Sequence, residues 1–269
     1  MLTDLFGRAI TCLRISVTDR CNYRCTYCMP SVGIDLIPHC MILSYEAIAQ
    51  IAKVAGKLGI TKVRITGGEP LVRKNIESLV SMICAGWPFE EVCMTTNGSL
   101  LTRSKAFALK SAGLSRMNIS LDTLDPASFS SITHGGSLRD VLKGIDAACA
   151  ADLAPVKINM VIRPGTTTDE IKQMRLFCTH NGLKLQTISQ FSLSDRKHHA
   201  STAADRPPNC ATCNRLRLTS DGCLKPCLFS SDEVKVNLND IEESFRFAAQ
   251  TKPAYGTCGS HRSMSQVGG

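Results

Sequence analysis

Arg14-Ile15-Ser16-Val17-Thr18-Asp19-Arg20-Cys21-Asn22-Tyr23-Arg24-Cys25-Thr26-Tyr27-Cys28 decides how this chain folds, because a strand-forming run opens directly onto three closely spaced thiols. Ile10 to Thr18 is rich in β-branched and apolar residues and reads as a strand. Cys21, Cys25 and Cys28 follow with the spacing C-x3-C-x2-C, on the loop after it. Three thiolates this close wrap one metal centre. A structural zinc closes with four ligands, and near this run only Cys12 and the His39-Cys40 pair offer a fourth. Around a [4Fe-4S] cube, three thiolates leave one iron free for a ligand that is not protein, so the run points to chemistry at an open iron.

Outward from this strand the chain alternates short β-rich runs with longer helical ones, the layout of repeated βα units around a parallel sheet. Further strands are expected at Lys62 to Thr66, Glu91 to Thr95, Arg116 to Leu121, Val156 to Ile162 and Lys184 to Ile188. Helices are expected near 73–85, 103–112, 137–151 and 168–181. Before them, Ser44 caps a helix that places Ile48, Ile51, Ala52, Ala55 and Leu58 on one face and ends at Gly59. Six strands are two short of a closed eightfold barrel, so an open partial barrel is expected. Its ligand-binding face is the carboxyl end of the strands, where Thr18-Asp19-Arg20, Gly67-Gly68-Glu69, Asn97-Gly98 and Asp122 stand.

The chain has 269 residues, 43% hydrophobic and 20% charged, enough for one large core or two modest ones and no basis for disorder. A net charge of +8 suits anionic partners. Aromatic residues are only 5%, with one Trp, which leaves little for base stacking and argues against nucleic acid. No leader-like start and no long apolar run is visible, so a cytoplasmic protein without a membrane span is expected.

Fourteen cysteines need a cause. Seven are scattered and read as small apolar residues, whereas Cys21, Cys25, Cys28 and Cys210, Cys213, Cys223, Cys227 form two groups. The second group makes a plausible four-thiolate zinc knuckle. Against that reading, Arg215 and Arg217 alternate within a strand-like run, so both guanidiniums point to one face beside the metal, as an anionic ligand requires. Between the groups, Ser192 to Asn209 is polar, with His198, His199 and Pro207-Pro208, and reads as a boundary. A helix is expected near 238–250, and the last residues, 259–269, should be loose unless tied down.

Taken together these runs resemble the GTP 3',8-cyclases, radical S-adenosylmethionine (SAM) enzymes of the first step of molybdenum cofactor biosynthesis. The matching stretches are Arg14 to Asn22, Cys28-Met29-Pro30, Arg64 to Leu71 with Thr66-Gly67-Gly68-Glu69-Pro70, Thr95 to Gly98, Ser120 to Leu124, Cys210 to Phe229, and Gly268-Gly269. The fold implied is α/β, an open partial (β/α)6 TIM-like barrel over 1–191, a shortened linker over 192–209, and a small C-terminal iron-sulfur domain over 210–269.

The resemblance implies two [4Fe-4S] clusters, one on Cys21, Cys25 and Cys28 with SAM at its open iron, the other on Cys210, Cys213 and Cys227 facing the guanine of GTP, with Cys223 spare. It places SAM contacts at Tyr27, Gly68, Glu69, Ser120 and Phe191. GTP contacts fall on Arg14, Arg64, Thr95, Lys157, Arg215, Leu216 and Arg217, with Arg215 and Arg217 as the catalytic pair. Reductive cleavage of SAM would give a 5'-deoxyadenosyl radical that takes hydrogen from C3' of the ribose, after which C3' bonds to C8 of guanine. An external one-electron reductant of flavodoxin or ferredoxin type, a homodimer, and delivery of product to cyclic pyranopterin monophosphate synthase are implied too. The double glycine of the tail would enter the site with an arginine, for which Arg262 is the candidate. Two rival readings are another radical SAM enzyme with an auxiliary cluster and a non-catalytic, zinc-bound basic module.

Overall fold

The computed structural model describes residues 1–29, 33–191, 193, 209–256 and 261–268. Of the expected linker only residues 193 and 209 are described; His198, His199 and the proline pair, together with Pro30 and Gly269, lie outside the described residues.

Strands β1 (Cys12–Ser16), β2 (Lys62–Thr66), β3 (Glu91–Thr96), β4 (Arg116–Ser120), β5 (Lys157–Ile162) and β6 (Lys184–Ser189) pair in parallel, each with the next. Helices α1 (Tyr45–Lys57), α2 (Ile76–Gly86), α3 (Arg103–Ser111), α5 (Leu138–Ala150) and α6 (Thr168–His180) fall in the connections where helices were expected. Each of these except α2 starts on a capping hydroxyl: Ser44, Thr102, Ser137 and Thr167 accept from backbone N–H groups of the first turn. Helix α4 (Pro126–Thr133) was not expected; Asp125 caps it and Pro126 occupies its first position.

The strand alternation sorts the side chains. Leu13, Ile15, Val63, Ile65, Val92, Met94, Met117, Ile119, Ile158 and Met160 are buried in one continuous core with the helices, while the alternate positions carry Arg14, Arg64, Thr95, Asn118, Asn159 and Gln186 to the concave side. Such a sheet is dry outside and polar within.

Past β1 the sheet does not end. Strand β7 (Arg215–Leu218) pairs with β1 in parallel, Cys12 opposite Arg215 and Arg14 opposite Arg217, and β8 (Cys223–Lys225) and β9 (Val234–Lys235) continue antiparallel. The order is β6-β5-β4-β3-β2-β1-β7-β8-β9, an open partial barrel with β6 and β9 as edges. The second cysteine group is thereby brought beside the strand that leads into the first. Helix α7 (Ile241–Gln250) packs Phe245, Ala248 and Ala249 against α1, β8 and β9.

The tail is tied down. Arg262 binds Asp221 through two contacts of 3.0 and 2.9 Å and Glu233 through two of 2.6 and 2.7 Å. Helix α8 (Met264–Val267) joins Phe191, Leu193, Cys227, Leu228 and Phe229 in a small apolar cluster. No helix among the described residues is long and apolar enough to cross a membrane.

Candidate active site

The three-cysteine loop rests on the loop that follows β2. Gly68 N–H donates to the Thr18 carbonyl at 2.7 Å and Glu69 N–H to the Arg20 carbonyl at 2.9 Å. A Cβ on Gly67 would lie 2.4 Å from the Thr18 oxygen, and one on Gly68 2.4 Å from the Arg20 oxygen. The two glycines thus bring backbone against the loop that carries the thiols, as well as presenting Gly68 to the cavity.

That cavity, of about 260 Å³, is lined by Cys21, Cys25 and Cys28 and also by Cys210, Cys213 and Cys227. Tyr27, Gly68, Ser120, Phe191, Arg14, Arg64, Thr95, Arg215 and Arg217 line it too. Ser120 is the last residue of β4 and caps no helix, and Phe191 packs edge-on against Phe229 at 5.4 Å between ring centres.

Three expected site residues stand elsewhere. Glu69 is fully buried and does not line the cavity. Its Oε1 accepts from Leu71 N–H (2.9 Å) and Thr96 Oγ1 (2.7 Å), its Oε2 from Asn97 N–H (2.6 Å), so it fastens the ends of β2 and β3 together. Burial raises its carboxyl while these bonds hold it down. Leu216 is buried in the core between Arg215 and Arg217, on the other face of β7. Lys157 opens β5 and lines a second cavity, of about 490 Å³, with Lys62, Arg116 and Lys184. Arg14, Arg64 and Arg215 line both cavities.

The electrostatics of this face are one-sided. Arg64, Arg14 and Arg217 are neighbours in register on β2, β1 and β7. Burial, then repulsion from Arg217, Arg64 and Arg215, holds the Arg14 guanidinium well below its usual range, and burial with Arg215 lowers Arg217 to about 10. The two guanidiniums are crowded together, a placement that favours a bound anion. Arg217 Nη1 donates to the Gly268 carbonyl at 2.7 Å, which puts the tail at the site, and a Cβ on Gly268 would lie 2.3 Å from Thr66 Cγ2. Arg262 is held outside the cavity by its carboxylate pair. Thr95 Oγ1 is buried with no hydrogen-bond partner among the described residues.

The donor set fits iron-sulfur cubes better than single ions. Among the described residues, no three Cys, His, Asp or Glu side chains gather tightly enough to chelate one ion, as a tetrahedral zinc with sulfurs about 2.3 Å away demands; a cube takes each thiolate on a different iron. Cys223, needed for a zinc knuckle, does not line the cavity and lies on β8 in the field of Asp221 and Glu233. Burial raises the thiols of Cys21 and Cys25 and takes Cys28 to about 12, so ligation must release protons there.

The site also holds links and lining residues beyond the expected contacts. Tyr27 Oη donates to Asp122 Oδ2 at 2.7 Å, and Asp122 Oδ1 accepts from Val161 N–H at 2.8 Å, linking the cysteine loop to β5. Asn97, Thr66, Asn159, Gln186 and Lys252 line the cavity. For Lys62 and Gln186 the two-residue strand period was an available signal; for Lys252 there was none.

Residues 15–178 match the radical SAM superfamily. The GTP 3',8-cyclase of Petrotoga mobilis is 37% identical over 329 positions, covering 100% of this chain and 100% of its own. That of Thermodesulfovibrio yellowstonii is 40% identical over 298, covering 93% of this chain and 90% of its own. The first alignment is longer than the 269 residues of this chain, so that relative carries residues this one lacks. In solved structures, Streptococcus suis SuiB bound to S-adenosylmethionine superposes with a TM-score of 0.69 at 16% identity, over 93% of this chain and 65% of its own. Native anSMEcpe with bound AdoMet gives 0.66 at 15%, over 87% and 80%. At such identities these structures speak for the fold.

Proposed function

The chain belongs to the radical SAM superfamily and within it to the GTP 3',8-cyclase family, and from that premise we propose that it converts GTP to 3',8-cyclo-7,8-dihydro-GTP, the first step of molybdenum cofactor biosynthesis. In this reaction a C3'–C8 bond forms, the C3' hydrogen leaves to give 5'-deoxyadenosine, and N7 gains a proton from solvent and a second electron from the external reductant, so product and GTP are isomers.

Cys21, Cys25 and Cys28 would hold the first [4Fe-4S] cluster, and Cys210, Cys213 and Cys227, in the 210–269 portion that follows the barrel of 1–191, the second. When bound, the first cluster and SAM supply a 5'-deoxyadenosyl radical on receipt of one electron from an external reductant. The protein's own work is placement. Tyr27, Gly68, Ser120 and Phe191 border the SAM side. Glu69, expected at the methionyl ammonium, instead ties the loop after β2 to the end of β3 and so shapes the SAM side from behind. Arg14, Arg64, Arg215 and Arg217 bind the triphosphate by charge-assisted hydrogen bonds, Lys157 contributing only where the phosphates extend into the second cavity that Arg14, Arg64 and Arg215 also line, and Thr95 Oγ1 gains a partner. Gly268 orients Arg217 through its carbonyl. The homodimer and the onward delivery of product rest on family membership alone.

The observation that carries this reading is the in-register row Arg64-Arg14-Arg217 at a cavity walled by both thiol groups. A peptide substrate offers no reason for such a row. Anaerobic reconstitution with iron and sulfide, incubation with SAM, dithionite and GTP, and fragmentation mass spectrometry of the nucleotide test it. An isomer of GTP formed together with 5'-deoxyadenosine is expected; 5'-deoxyadenosine with unchanged GTP would overturn the assignment.

A further inference from the structure

Lys252 stands just beyond the carboxyl end of α7 and is 3% exposed. Its ammonium has three N–H donors and places all of them: on the Arg215 carbonyl at 2.9 Å, the Pro226 carbonyl at 2.8 Å and Cys213 Sγ at 3.4 Å. Among the described residues it has no carboxylate within ion-pair distance. A cation taken this far from water is stable only beside compensating negative charge. The groups it touches belong to the ligand loop of the second cysteine set: Cys213 itself, a carbonyl two residues on, and the carbonyl just before Cys227.

The lysine is held in place from behind. Arg8, paired to Asp4 at 2.6 Å, donates to the carbonyls of Cys210 (2.7 Å), Pro253 (2.6 Å) and Ala254 (3.0 Å). It thus bolts the segment after Lys252 to the residue that opens the second set.

Resting on the assignment of a cluster to Cys210, Cys213 and Cys227, we propose that Lys252 is the buried counter-cation of that cluster, a positioning residue that fixes the Cys213 ligand and sets the cluster's reduction potential. A cube bound by three thiolates gains one negative charge when it takes up an electron, with no bond made or broken. A fixed cation at a ligand sulfur stabilises the reduced form more than the oxidised one, so its removal shifts the midpoint potential to lower values.

The test uses full-length Cys21→Ala/Cys25→Ala/Cys28→Ala protein, reconstituted anaerobically, so that only the second cluster is present. Iron per chain is measured, and dithionite titration followed by electron paramagnetic resonance gives the midpoint potential. The parent should hold about four irons. Lys252→Arg should keep that iron and a potential close to the parent's. Lys252→Gln retains donors for the carbonyls without charge, and should titrate at a lower potential or shed iron that Lys252→Arg keeps. A Lys252→Gln protein with full iron and the parental potential overturns the inference, as does a Lys252→Arg protein as impaired as Lys252→Gln. A parent without iron removes the second cluster and this role together, and is recognised before any Lys252 variant is made.

Discussion

Each cysteine set brings three thiols to one shared cavity, yet their surroundings differ. The first lies among Glu69, Asp122, Tyr27 and Asn97, and burial with neighbouring thiols and carboxylates raises its thiols, Arg24 near Cys21 being the opposing charge. The second lies among Lys252, Arg215 and Arg217; burial still raises Cys227, but beside Lys252 Cys213 is lowered. Equal ligand counts therefore do not mean equal work. An environment poor in cations suits a centre that must give an electron away, and one rich in cations suits a centre that must receive a polyanionic nucleotide.

The largest effects should separate the sets. Cys25→Ala is expected to reduce 5'-deoxyadenosine formation to background, whereas Cys210→Ala should leave SAM cleavage measurable and abolish the cyclised nucleotide. Chromatography of both products from each variant decides it, and equal loss of SAM cleavage in the two would erase the contrast.

Arg217→Ala should spare SAM cleavage and lower cyclised product about 10- to 150-fold, the equivalent of one charge-assisted bond of about 1.5–3 kcal/mol. Gly68→Ala acts on the other side. Its Cβ would meet the Arg20 carbonyl oxygen at 2.4 Å, so the loops must part; a destabilisation of about 1–3 kcal/mol and a raised KM for SAM are expected from thermal unfolding and steady-state kinetics.

Arg262→Ala frees the tail from Asp221 and Glu233, partners that are partly exposed and screened. Stability should fall by only about 1 kcal/mol, while KM for GTP rises several-fold more than KM for SAM because Gly268 no longer orients Arg217. The smallest effect concerns the apo protein. A lowered thiol supplies thiolate at lower pH, so alkylation of Cys213 by iodoacetamide should persist to lower pH than that of an ordinary thiol, while that of Cys28, whose thiol is raised to about 12, is slow throughout. Peptide mass mapping reads both rates.

Much of this was legible in the sequence because strand alternation and thiol spacing are local. The runs around Arg14, Arg64 and Arg116 mark both the strands and the polar side of the sheet, and Cys21 to Cys28 marks the first site. Helix α4 was missed although Asp125-Pro126 carries a start signal, because eight residues leave little periodicity to detect. The pairing of β7 with β1 joins segments some two hundred residues apart, which no local pattern encodes. Glu69 was expected to face the ligand but faces backbone N–H groups, a choice set by the packing of two strand ends. Nothing local to Lys252 marks it; only the tertiary arrangement takes it to a thiol.

Iron and zinc per chain, measured on the unaltered protein after anaerobic reconstitution, test the central claim most directly. Two cubes, each on three thiolates, predict about eight irons and no zinc. About four irons with one zinc would contradict the account, since the second thiol set would then hold a structural ion with no iron open to the purine.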